Sequence, residues 1–211
     1  MKKFLSMFLT IALVLSSFSC LSVMVSAEGE TGDIVYTEVR TVDDLYNVRN
    51  DLAGNYILMN DINLTEATSI DGKYDFMDNG WNPIGSANVY QHNNFSGIFD
   101  GNGYEISGLR IDVKSVPTDS GNISLGLFSD VTGTVKNLTV RGSIKASVSN
   151  AKHVGAISGY SSGGTIENCH SYCDILISNG SNYIGGIVGI AKGNVNISGC
   201  SNNSSISGRD N

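Results

Sequence analysis

The feature that most constrains this chain is an echo near its C-terminal end. Val154-Gly-Ala-Ile-Ser-Gly-Tyr-Ser-Ser-Gly-Gly-Thr-Ile-Glu-Asn-Cys169 is answered by Ile184-Gly-Gly-Ile-Val-Gly-Ile-Ala-Lys-Gly-Asn-Val-Asn-Ile-Ser-Gly-Cys200. Gly155 recurs as Gly185 after 30 residues, and Ile166, Cys169 and Ile175 recur as Ile197, Cys200 and Ile206 after 31. A weaker copy lies upstream, with Gly126, Val135, Leu138 and Ile144 standing 29 or 31 residues before Gly155, Ile166, Cys169 and Ile175. Self-similarity at such a period marks a stack of repeats, each burying its apolar side against the next.

Each repeat reads as a Gly-punctuated apolar strand, a turn (Gly133, Gly163-Gly164, Gly193-Asn194), an alternating strand and a polar loop. Stacked in register, Val135, Ile166 and Ile197 form one apolar column, and Leu138, Cys169 and Cys200 another. The physical consequence is an all-β parallel β-helix, with strands hydrogen-bonded from coil to coil. A sandwich would show turn signals every 8 to 12 residues, roughly, and no long echo.

Before the repeats the pattern changes. Thr41 followed by Asp43 and Asp44 is a helix start, with Leu45, Val48 and Leu52 at helical spacing and Gly54 as a left-handed stop. This short amphipathic helix is expected to cap the first coil and cover an open strand edge. Tyr56–Leu64 reads as a strand interrupted at Asn60-Asp61, and Phe95–Ile111 as strand, tight turn, strand. Residues 65–94 form a long polar excursion carrying the only tryptophan, in which Trp81 and Ile84 are expected to tack the loop to the coil. A second excursion runs from Val113 to Ile123.

Residues 1–27 read as a secretory signal peptide: Lys2 and Lys3, an apolar run from Phe4 to Met24, and small side chains at Val25-Ser26-Ala27. Residues 28–124 then form the N-terminal cap and first coils, and residues 125–211 the repeats, as one continuous domain. Cleavage leaves 11 basic against 20 acidic side chains, a charge of −9. That charge argues against nucleic acid as a partner, because it is gripped by Lys and Arg, and no membrane insertion is expected after cleavage.

Three cysteines remain: Cys169, Cys173 and Cys200. Cys169 and Cys200 share a repeat position, and a strand spacing of about 4.8 Å leaves a disulfide between them geometrically open. Packing as small hydrophobes in one buried column is the reading the composition favours.

Enzyme chemistry finds little support. His92, His153 and His170 are far apart and none lies in His-Glu-x-x-His. A serine hydrolase needs a nucleophile elbow with a base and an orienting acid, and none is expected here. After residue 124 the acids are only Asp130, Glu167, Asp174 and Asp210, too sparse for a carboxylate pair. Asp100-Gly-Asn-Gly103 starts like a calcium loop, but Tyr104 stands where the third oxygen ligand belongs, and a turn explains the segment. Strand parity puts Cys169 and Cys173 on one face and His170 on the other, against a shared metal site. No catalytic residue, metal or cofactor is expected.

The repeats resemble the GLUG motif, whose glycine-aliphatic-aliphatic-glycine core is seen as Gly186-Ile-Val-Gly189 and, less well, as Gly155-Ala-Ile-Ser-Gly159. Asp43-Asp-Leu-Tyr-Asn-Val48, Gly54–Leu64, Trp81-Asn-Pro-Ile-Gly85 and Phe95–Gly108 resemble the segment that precedes such repeats in bacterial surface proteins. The resemblance implies a right-handed β-helix, exported and displayed at a cell surface, as in adhesins. It leaves open a role as the non-catalytic, substrate-positioning region of a larger secreted peptidase or carbohydrate-active enzyme. The expected partner is a glycan or a host or cell-surface protein, met by the loop aromatics Trp81, Tyr90, His92, Tyr160, Tyr172 and Tyr183, since aromatic rings stack on sugar rings.

Overall fold

The computed structural model describes residues 34–85, 93–115, 122–179 and 183–208. The proposed signal peptide and the candidates Tyr90 and His92 lie outside them.

The described residues begin with a cap. Strand β1 (Thr37–Val39) leads into helix α1 (Val42–Asn47), which starts on a capping box: the Thr41 hydroxyl accepts from the Asp44 amide, and the Asp44 carboxylate accepts from the Thr41 amide. The helix is shorter than its apolar spacing predicts. It tightens to a 3-10 turn over Val48–Asn50, and Asp51 turns to extended backbone while its carboxylate accepts from the Ala53 amide. Gly54 is therefore not a left-handed stop and has no positive φ. A Cβ at Gly54 would come within 2.9–3.0 Å of the Asp51 carboxylate and the Tyr56 ring and hydroxyl, and the Gly54 carbonyl in turn stands where a side chain on Gly97 would fall.

Strands β2 (Asn55–Leu58) and β3 (Ile62–Asn63) are the expected strand, split at Asn60-Asp61 so that the halves join different sheets. Strands β4 (Ile98–Asp100) and β5 (Glu105–Val113) flank the turn at Asp100–Gly103. Three full coils follow. The first holds β6 (Ile123–Leu125), β7 (Phe128–Val131), β8 (Thr134–Lys136) and β9 (Thr139–Ala146). The second holds β10 (Ala151–Gly155), β11 (Ser158–Ser161), β12 (Thr165–Glu167) and β13 (His170–Ile177). The last holds β14 (Tyr183–Gly185), β15 (Val188–Ala191), β16 (Asn196–Ser198), β17 (Ser201–Asn202) and β18 (Ile206–Gly208).

Every strand pairing is parallel and runs from coil to coil. Four sheets result, ordered β1-β2-β4-β8-β12-β16, β6-β10-β14, β7-β11-β15 and β3-β5-β9-β13-β17, with β18 also on β13. The molecule is the parallel β-solenoid that the echo predicts. Its register reproduces the sequence spacing: Val135 pairs with Ile166 and Ile166 with Ile197, while Ile144 pairs with Ile175 and Ile175 with Ile206.

The core changes character along the axis. Its first part is aromatic, with Phe95, Phe99 and Phe128 rings 5.0 to 6.4 Å apart. Later coils replace them with stacked aliphatics and thiols. Cys169 and Cys173 are buried, Cys200 is half-buried, and all three are free. The Sγ of Cys169 donates to the Val135 and Glu167 carbonyls, and that of Cys200 repeats the pattern on Ile166 and Ser198. These two thiols are thus a packing column without a disulfide.

The excursion after β3 does more than decorate the first coil. Ile84 donates its amide to the Leu127 carbonyl and accepts from the Ser129 amide, and Phe95 does the same between Asp130 and Thr132. These residues pair with the edge of β7, where the first coils supply no strand. Arg110 holds the excursion by donating to the Thr68 and Asp78 carbonyls and to Asp75, whose carboxylate is 2% exposed. At its other end, Lys73 and Tyr74 both donate to Asp43 at the start of α1, and Tyr74 stacks on Tyr46.

At the corner before β12, Gly164 adopts φ +76°, and a side chain there would strike the backbone of Thr132 and Gly133 in the coil below. The corners between β8 and β9 and between β12 and β13 are built differently. Asn137 and Asn168 take left-handed φ of 53° and 49°, and their amides form a ladder: Asn168 donates to Asn137, and Asn137 to Asp100.

Candidate binding surface

Trp81 is 1% exposed, with its indole N–H donating to the Leu127 carbonyl and Arg49 and Tyr46 against its ring. It offers no face to a ligand, which corrects its place among the binding candidates and bears out its tacking role. The sequence left both readings open because an isolated tryptophan in a polar loop carries no periodicity to say which way it faces.

Tyr160 and Tyr183 are brought together around a residue that was not a candidate. His153 shares a register column with Ser124 below and Tyr183 above. Its ring lies 5.6 Å from Tyr183, nearly parallel, and 5.2 Å from Tyr160, edge-on. Its Nδ1 is 3.1 Å from the Ser124 hydroxyl. Burial, helped by the neighbouring Lys152 charge, holds His153 below the usual histidine pKa and so keeps the ring neutral. Tyr183, on the last coil, is 47% exposed. The spacing could have revealed the cluster, since His153 stands 30 residues before Tyr183.

Tyr172 lies on a different sheet. In β13 the even positions His170, Tyr172, Asp174 and Leu176 face outward, and Ser171, Cys173, Ile175 and Ile177 face the core. Arg141, the register partner of Tyr172 on β9, places its guanidinium 3.8 Å from the ring centroid and donates to Glu105 at 2.6 Å. One ring face is thus covered by a cation that Glu105 holds in place.

The other polar groups have internal duties. The Asp100 carboxylate accepts from the Asn102 amide and from Asn137, and pairs with Lys136 at 3.2 Å, consistent with a turn. Asp174 accepts from the Ser205 hydroxyl and amide, which lowers its pKa. His170 meets the Ser201 hydroxyl at 2.9 Å. Against expectation, Gly159-Tyr-Ser-Ser-Gly163 does carry the Gly-x-Ser-x-Gly spacing. Ser161 is nevertheless buried at the end of a solenoid strand, its hydroxyl spent on the Val131 and Gly163 carbonyls, with no helix following. Among the described residues there is no group of three metal-ligating side chains, and no helix is long and apolar enough to cross a membrane.

Fold and surface together define a parallel β-solenoid with two small outward aromatic clusters. Halomucin from Haloquadratum walsbyi is similar to this chain, with 39% identity over 116 residues, covering 54% of this chain and 1% of halomucin. The chain thus spans about one hundredth of the length of that curated relative. No protein-family model matches the chain, so the GLUG resemblance rests on the residues quoted for it, and no solved structure matches.

Proposed function

We propose that this chain is an exported, non-catalytic β-solenoid module of the GLUG type, acting at the cell surface as a spacer and adhesive element. The observation that carries the reading is that a repeat scaffold in which acids, histidines and Ser161 serve the fold shares 39% identity with a stretch of halomucin. A relative whose name marks a mucin supports an extracellular setting. Stacked coils provide a stiff rod, and the ligand it displays aromatics toward is a glycan or a cell-surface protein. Tyr183, with Tyr160 and His153 behind it, and Tyr172, backed by Arg141, are the contact residues.

The test is twofold. Cell fractionation is expected to place the protein outside the cytoplasm with residues 1–27 removed. Glycan-array binding by the purified chain is expected to weaken about tenfold on Tyr183→Ala or Tyr172→Ala, the loss of one ring-stacking contact of roughly 1 kcal/mol or more. Retention in the cytoplasm, or binding indifferent to both substitutions, contradicts the proposal.

A further inference from the structure

Two tripeptides of this chain are identical, Asn63-Leu-Thr65 and Asn137-Leu-Thr139. Each has the Asn-x-Thr form of an N-glycan acceptor, in which the asparagine carboxamide takes the sugar and the hydroxyl two residues on is read by the transferase. The tripeptides alone do not rank the two, and the fold treats them in opposite ways. Leu64 and Leu138 are both fully buried, so the difference lies in the asparagines.

Asn63 ends β3, where Ile62 faces the core and Asn63 faces outward, in register with Ser107 of β5. It is exposed on the flank of the solenoid, so its openness does not depend on what stands beyond either end of the stack. Its Oδ1 accepts from the Thr65 amide at 2.9 Å, an Asx turn that brings Thr65 back beside the carboxamide. Its Nδ2, the atom that takes a sugar, has no hydrogen-bond partner among the described residues. Thr65 is exposed as well, and Gly108, at φ +68°, leaves room for its hydroxyl, because a Cβ on Gly108 would meet Thr65 Oγ1.

Asn137 is committed to the fold. At its corner φ is 53°, its Nδ2 donates to Asp100 at 3.1 Å, and its Oδ1 accepts from Asn168 at 3.3 Å. A sugar on that nitrogen would need the place Asp100 occupies and would break the ladder that ties successive coils together.

We propose that Asn63 is a glycan-acceptor site, that the folded, exported protein carries an N-linked sugar there, and that Asn137 is spared. This rests on the exported reading above and adds a covalent modification to it. The donor class is an oligosaccharide joined through C1 to a lipid pyrophosphate. Asn63 Nδ2 forms its bond to C1 as the bond from C1 to the pyrophosphate oxygen breaks. The carboxamide loses one proton to a base of the transferase and the lipid pyrophosphate leaves, with no oxidation or reduction. The Thr65 hydroxyl positions the tripeptide and takes no sugar.

The protein recovered from the cells that make it, from medium and cell fractions separately, tests this after digestion with trypsin. Cleavage after Arg49 and Lys73 places Asn63 in peptide 50–73, and cleavage after Lys136 and Arg141 places Asn137 in peptide 137–141. By mass spectrometry, peptide 50–73 is expected to carry the added mass of a glycan and to release sugar fragment ions, and peptide 137–141 to appear at its bare mass. Asn63→Gln and Thr65→Ala are each expected to abolish the modification and Thr65→Ser to retain it, a pattern that a purely structural role for Thr65 would not produce. Should a variant fail to fold, the two wild-type peptides decide the matter. A secreted protein with bare Asn63, or with Asn63 and Asn137 equally modified, overturns the proposal and leaves the surface reading standing. A chain kept in the cytoplasm with bare Asn63 overturns both.

Discussion

Two adjacent glycines in one turn make opposite predictions. At Gly164, φ is +76°, and an added Cβ meets the Gly133 carbonyl, with the Thr132 carbonyl oxygen at 2.5 Å and its carbon at 2.7 Å. Left-handed backbone costs a non-glycine residue about 1 kcal/mol. Overpacking against backbone, which cannot rotate aside, adds about 1–3 kcal/mol. Gly164→Ala is therefore expected to destabilise the solenoid by about 3 kcal/mol, or roughly 6–12 °C in Tm for a chain of this size. At Gly163 nothing lies within 4 Å of the added Cβ and φ is outside the left-handed region. Gly163→Ala is expected to be neutral or to stabilise by up to about 1 kcal/mol, through the entropy of the unfolded chain. Urea unfolding followed by fluorescence of Trp81, the only tryptophan, measures both. Equal losses at the two positions, or a larger loss at Gly163, refute the coil-stacking geometry from which the difference is drawn.

Trp81→Ala is expected to cost about 3–5 kcal/mol, read as a lower thermal midpoint, without selectively removing ligand binding from protein that remains folded. Arg110→Met leaves the sheltered Asp75 carboxylate with backbone donors alone and is expected to cost about 2 kcal/mol, less than a fully buried pair because Arg110 is partly exposed; limited proteolysis should then cut within residues 65–80 first. His153 binds its proton less readily in the folded state than in the unfolded one, so its contribution to stability is present above its ordinary pKa of 6.5 and fades as pH falls below it. A His153→Gln variant is expected to show a flatter stability profile between pH 7.5 and 5 than the wild type, measured by urea midpoints. Burial pushes the Cys169 and Cys173 thiols up to about 12, so at pH 8 both are expected to resist alkylation until urea unfolds the coil.

How much of this was legible in the sequence follows from which contacts are periodic. The 31-residue spacing of Val135, Ile166 and Ile197 became register pairs without adjustment, because a solenoid puts equivalent residues in adjacent coils side by side. Strand parity likewise placed His170 on the face opposite Cys173, as the alternation in β13 has it. The excursion could not be read this way. Asp71, Met77 and Asp78 take positive φ, and its anchors, Arg110 and the edge of β7, are more than thirty residues away and follow no repeat. Gly54 misled because glycine after a helical pattern usually marks a left-handed end, whereas here the φ is negative and a Cβ would press on the Asp51 carboxylate and the Tyr56 ring. The His153–Tyr183 column was legible in their 30-residue spacing, but the contact with Tyr160 was not, because Tyr160 comes from a different strand of the same coil, β11.

The most direct test of the parallel solenoid is a nuclear Overhauser spectrum of the backbone amides. It should show contacts between residues 31 apart along β9 and β13, from Thr139 with His170 to Ala146 with Ile177, rising together in sequence. Contacts that fall in one strand as they rise in the other, between strands adjacent in sequence, would mean an antiparallel sandwich and would contradict the account.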